Sequence, residues 1–159
     1  MSFQKAETYT LKEALKKLEG YCAYQERCHK EVVNKLYKMQ MIPEAIDQII
    51  VQLINENYLN EERFAQSFAR GKFNIKKWGR QRIIAELKQR DISKYNIVTA
   101  LKEINETDYH KTFHALAEKK WDSIKENNLK KKKKRLADYL FYRGWESELV
   151  FEKIQELAH

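Results

Sequence analysis

The chain has 159 residues, 43% of them hydrophobic, enough for one ordinary domain with a core of its own. No apolar run approaches the ~18 residues of a membrane helix, and an N-terminus carrying Gln4, Lys5 and Glu7 lacks a signal peptide's apolar stretch, so the expectation is a soluble cytoplasmic protein with no membrane contact. The formal net charge of +8 favours an anionic partner.

In chain order, Thr10 and Glu13 form a capping box ahead of Leu11, Leu15 and Leu18, which predicts a first helix. Val32 and Leu36, one turn apart, mark a second. Pro43 suits the first turn of a third, carrying Ile46, Ile50 and Leu53. Asn60 caps a helix bearing Phe64 and Phe68. Ile83 and Leu87 mark the next, and Ser93 caps one carrying Ile97, Leu101 and Ile104. Thr107 or Asp108 is the expected cap of a seventh helix with Phe113, Leu116 and Ile124 on it. Leu136 and Leu140 lie on an eighth, Gly144 suits its left-handed end, and Val150, Ile154 and Leu157 stripe a ninth. One Pro and four Gly in the whole chain agree with a helical protein that has no strand.

These elements repeat. Leu36, Met41, Ile46, Ile50 and Leu53 recur at the same offsets as Leu87, Ile92, Ile97, Leu101 and Ile104, then as Leu140, Trp145, Val150, Ile154 and Leu157. Such a period predicts an all-α fold of three tandem three-helix repeats, over residues 8–58, 59–107 and 108–159, stacked in an elongated, curved array. The joints at 55–58 and 105–108 are expected to flex.

The positive charge falls in two blocks. Residues 70–90 carry eight basic residues and one acid, and residues 119–135 carry nine and two, so the rest of the chain is net negative. In repeat register Arg82 matches Arg135, Arg80 matches Lys133 and Gly79 matches Lys132, while the corresponding stretch of the first repeat, 27–31, is much less basic. This arrangement predicts a basic ridge along one side of the array. Five successive lysines, Lys130 to Lys134, repel one another unless a polyanion neutralises them. Phe73, Trp78 and Trp121 interleave the blocks, as core residues or as platforms for bases. The candidate contacts to nucleic acid or filament are Lys76, Lys77, Arg80, Arg82, Arg90, Lys131, Lys132 and Arg135.

Other chemistry is not signalled. Cys22 and Cys28 are six apart, a spacing that suits neither a metal knuckle nor a redox pair, and are read as reduced thiols. His110 and His114 stand at i, i+4 but lack the glutamate of a zinc-protease helix. There is no glycine-rich phosphate loop, no nucleophile elbow and no acidic pair set among histidines. No metal, cofactor or catalytic role is therefore expected.

The segment YLNEERFAQSFARGK followed by GRQRIIAELKQRDI resembles the signature of the RecX family, regulatory proteins of the bacterial RecA recombinase. The matching positions are Leu59, Glu61, Glu62, Arg63, Phe64 and Ala65, then Gly79, Ile83, Glu86 and Leu87. The resemblance implies tandem three-helix repeats. It also implies a protein, expected as a monomer, that binds the RecA filament on single-stranded DNA and modulates, usually suppresses, its ATP hydrolysis, strand exchange and repressor-cleaving activity. The chain departs from the usual pattern at Asn60, where aspartate is common, and at Gln40 and Asp91, where glycine is often found. The alternative is a free-standing helical-repeat protein that binds single-stranded nucleic acid. A metal-dependent nuclease stands third, to be separated by metal content and by incubation with DNA and Mg²⁺.

Overall fold

The computed structural model describes residues 8–159; Gln4, Lys5 and Glu7 lie outside them. Among the described residues there are nine helices and no strand: α1 (Leu11–Tyr24), α2 (His29–Lys38), α3 (Pro43–Asn55), α4 (Glu61–Asn74), α5 (Arg80–Gln89), α6 (Lys94–Leu101), α7 (Glu106–Ser123), α8 (Leu129–Tyr142) and α9 (Ser147–Leu157). They pack as three successive triplets.

The ends of these helices follow from local chemistry. The Thr10 hydroxyl accepts from the Glu13 amide at 3.1 Å while the Glu13 carboxylate accepts from the Thr10 amide, completing the expected box. Asn60 caps α4 and Ser93 caps α6 through side-chain oxygens that accept from Arg63 N and Asn96 N. The cap of α7 differs from expectation. It is Asn105, whose Oδ1 accepts from both Thr107 N (2.8 Å) and Asp108 N (3.2 Å), so the two residues read as caps are the donors being capped. An asparagine two residues before Thr107 satisfies two orphan amides at once and starts the helix sooner.

The repeated hydrophobic template has a structural cause. After α2, α5 and α8 the chain turns through a left-handed residue at the same register position: Gln40 (φ 61°), Asp91 (φ 59°) and Gly144 (φ 88°). The next amide then reaches back to the residue that opens the template, from Met41 to Leu36 O (3.1 Å), from Ile92 to Leu87 O (3.1 Å) and from Trp145 to Leu140 O (3.2 Å). This is a Schellman end, in which an apolar pair closes the turn. The first two template positions of every copy are that pair.

Template residues are buried or half-buried in all three triplets. Two hydrophobic cores result. One serves α1–α3, centred on Leu18, Leu36 and Leu53, and includes Leu59. The other runs continuously through α4–α9 and also takes in Cys28.

Candidate nucleic-acid and filament interface

The first basic block reaches the third triplet where the start of α5 abuts the end of α8. Gly79, the N-cap of α5, has no side chain to offer that helix's orphan amides. The carbonyls at the end of α8 take the role: Gly79 N–H donates to Arg143 O at 2.7 Å and Gln81 N–H to Gly144 O at 3.0 Å. A helix start, with its partial positive charge, thus docks on a helix end with the opposite one. The approach leaves no room for a side chain. A Cβ on Gly79 would lie 2.4 Å from Gly144 O, and one on Gly144 would lie 2.3 Å from the Arg82 backbone nitrogen.

Aromatic residues fill the same joint. Trp145 is wholly buried, its indole N–H donating to Lys77 O at 3.2 Å, and it packs on Tyr109 and Phe113. The buried Tyr109 hydroxyl accepts from Arg80 N–H at 2.9 Å and donates to Glu146. Burial first, and the Glu146 carboxylate second, push this phenol far above its ordinary range, so it stays protonated and keeps both bonds.

Around this joint the candidate cations separate into kinds. Arg80 is held: it pairs with Glu106 and with Glu146 (3.7 Å), and its guanidinium lies 3.8 Å from the Tyr109 ring centre. Arg82 forms a ladder. Its guanidinium sits 4.1 Å from the Trp78 ring centre and 4.6 Å from that of Tyr142, while Nη1 donates to Tyr142 O. Arg90 bonds Glu86 at 2.8 Å and lies over Phe68. Lys132 covers the Trp121 ring at 4.2 Å, and Arg135 pairs with Glu126 at 3.4 Å while its side chain stays 58% exposed. Lys131 and Lys76 are exposed, and Lys77, in a left-handed turn, reaches Asn74 O.

Three of these residues line two separate grooves. Lys76 and Arg90 border one of about 450 Å³ between the first and second triplets, where Glu26 and Glu31 offset the positive charge and Phe64 and Phe68 form part of the wall. Arg135 borders a second, of about 710 Å³, with Lys120, Lys125, Arg143, Tyr139 and Tyr142. Arg143 lies 3.7 Å over Tyr139 and Lys120 4.7 Å from the same ring centre. Sequence reading missed Lys120, Lys125, Arg143 and both tyrosines; the signal available was their place in or beside a charge block, with no periodicity to single them out.

Comparison with known proteins adds the decisive observation. Residues 60–101 match the model of the second three-helix domain of RecX, and residues 107–154 that of the third, together more than half of the chain. The chain belongs to the RecX family. It is 30% identical over 126 residues to the regulatory protein RecX of Lactobacillus johnsonii, covering 74% of this chain and 46% of that one. To the regulatory protein RecX of Bacillus cytotoxicus it is 25% identical over 138 residues, covering 87% and 51%. The chain spans about half the length of the curated relatives it matches. The crystal structure of RecX from Lactobacillus salivarius has the same fold, with a TM-score of 0.77 over 92% of this chain and 96% of that one at 24% identity.

Of the residues that carry the resemblance, Arg63 and Gly79 lie at the joints of the array. Arg63 ties the second triplet to the first: Nε donates to Glu26 at 2.5 Å, and Nη2 to Asn57 O at 2.9 Å. Leu59 closes the first core, whereas Phe64, Ala65, Ile83 and Leu87 are buried in the second. Gly79 makes the close approach to Gly144, and Glu86 holds Arg90.

The histidines and thiols occupy other settings. His110 pairs with Glu106 at 3.4 Å, and His114 has a buried Nδ1 that makes no hydrogen bond among the described residues. Cys22 and Cys28 are free and buried, and burial pushes both thiols up to about 11. They are thus almost wholly protonated at neutral pH and poor nucleophiles. Among the described residues no helix is long and apolar enough to cross a membrane.

Proposed function

We propose that this protein binds the RecA filament on single-stranded DNA in the bacterial cytoplasm and lowers its ATP hydrolysis, strand exchange and coprotease activity, and so regulates DNA repair. Membership of the RecX family carries the reading. The geometry supports it through α4–α9, a unit built on one continuous core that presents exposed cations from both basic blocks. Lys76, Lys77, Lys131, Lys132 and Arg135 are the residues that meet phosphate or acidic protomer surface. Arg80 and Arg82 act by holding the array in shape, tying α5 to the third triplet through Glu146 and Tyr142 O, and Arg90 is held by Glu86 of α5. Bridging adjacent protomers hinders the motions that ATP turnover needs.

The test is the DNA-stimulated ATPase of the cognate RecA, with and without the protein. Suppression is expected. Replacing Lys131 to Lys134 by Gln should leave helicity intact and flatten the salt dependence of suppression by about 0.7 log units per log salt for each phosphate no longer neutralised. Undiminished suppression by that variant would make the lysine run an idle solvated face. No effect of the wild type on any filament would promote the free-standing nucleic-acid binder.

A further inference from the structure

We infer that the groove between α7 and α8 binds single-stranded nucleic acid directly, with a base stacked on Tyr142 and the adjoining phosphates held by Lys125, Arg135 and Arg143. The inference rests on the proposed function for its biological setting, since the strand would be the one inside the filament, but its chemistry stands on the groove alone.

Three observations converge. First, the groove is positively charged: Lys120, Lys125, Arg135 and Arg143 border it, and its one acid, Asp138, is paired with Lys134 at 2.7 Å. Lys125 has no ion pair among the described residues, and Arg135 has only Glu126 at 3.4 Å. Second, the aromatic groups are positioned in advance. Trp78, Arg82 and Tyr142 form a ladder anchored at the Gly79–Gly144 joint, and Tyr142, its outer member, remains 71% exposed at the edge of the groove. Arg82 thus fixes the orientation of a large exposed ring that folding itself does not bury. Third, at about 710 Å³ the cleft has room for a nucleotide or two.

An acidic peptide would satisfy the cations but leave the ring unused. A duplex would do the same, because its bases already stack on one another, whereas an unpaired base offers a free face. Ring and cations together therefore select a single strand.

The experiment is fluorescence anisotropy of the full chain, without recombinase, on a labelled 20-nucleotide oligothymidylate and on an abasic strand of the same length. The wild type should bind the base-bearing strand at least about fivefold more tightly. Tyr142→Ala should remove that difference while leaving abasic binding unchanged, and Tyr142→Phe should restore it. Lys125→Gln with Arg135→Gln should weaken both strands and lower the salt slope by about 1.4. Equal binding of the two strands by the wild type, or a Tyr142→Ala variant that retains the preference, would overturn the stacking site. Binding of poly-glutamate or duplex in preference to the single strand would also overturn it. If the groove fails these tests while RecA ATPase is still suppressed, the inference falls and the proposed function stands; absence of suppression with oligonucleotide binding intact is the reverse.

Discussion

Lys153 occupies a core position. It is only 2% exposed and stands on α9 at the register that Ile49 and Ala100 fill in the other triplets, yet its ammonium reaches Glu118 at 2.8 Å and Glu156 at 3.2 Å. The stem packs while the charge emerges at the rim. Burial alone would depress this lysine, but hydrogen bonds to the two carboxylates outweigh it and hold its pKa raised, while Lys153 holds Glu118 low. The signs set two windows. The lysine's contribution is full below its unfolded value and is lost as pH rises through its raised folded one. The Glu118 contribution is present above the ordinary carboxylate value and is lost as pH falls through its lowered one. Because both carboxylates are more than half exposed, removing the lysine strands no buried charge. Lys153→Met should therefore change stability by less than about 1 kcal/mol and blunt the loss of stability in acid, whereas Lys153→Ala should cost about 1–2 kcal/mol of stem packing. Thermal melts at about pH 7 and about pH 2, on either side of the carboxylate range, check both.

Among the elements, the start of α5 and the end of α8 are joined backbone to backbone. Gly79 has φ −79° and ψ 170°, which any residue adopts, so glycine is required there only by the nearness of the Gly144 backbone. Gly144 is constrained twice, by φ 88° and by contact with Arg82. Gly79→Ala should thus separate α5 from α8, break the hydrogen bonds that the Gly79 and Gln81 amides make to the end of α8, and cost about 3 kcal/mol or more. A melting temperature indistinguishable from wild type would refute the tight joint. Gly20 and Gly71, around which a Cβ meets nothing within 4 Å, provide the control.

Across the whole molecule the two joints are unequal. The residue in register with Gly79 is Cys28, and its side chain occupies the place where the tighter joint brings backbones together. Between the first two triplets the ties are side-chain ones, Arg63 to Glu26 and Lys30 to Gln89 O, beside a gap of about 260 Å³ bordered by Cys28 and Arg90. With a separate and smaller core, α1–α3 should unfold as its own unit at lower temperature than α4–α9. Calorimetry should give a measured enthalpy above the van't Hoff value, and Arg63→Ala should widen the interval between the two transitions. A single two-state transition in both proteins would show that the cores are coupled.

Helices, their triplet repeat and most of their caps were legible in the sequence because they depend on contacts within a few residues: 3.6-residue periodicity, a side chain bonding an amide two or three positions on, a turn closed by an apolar pair on either side of it. Family membership was legible for the same reason, since its motif is local. Which cations remain free was not. Arg80 and Lys77 are close in type and position, yet Arg80 is pinned by Glu146 and Tyr109 from the third triplet while Lys77 reaches only Asn74. Likewise Lys153 reads as a surface lysine until Glu118, 35 residues away, is placed beside it. Tyr142 reads as one tyrosine among nine until Arg82 is laid against it. Ion pairing, burial and stacking of this kind depend on how one helical unit is set upon the next, and that setting is decided by tertiary contacts such as the Gly79–Gly144 approach, not by the periodicity that forms each unit.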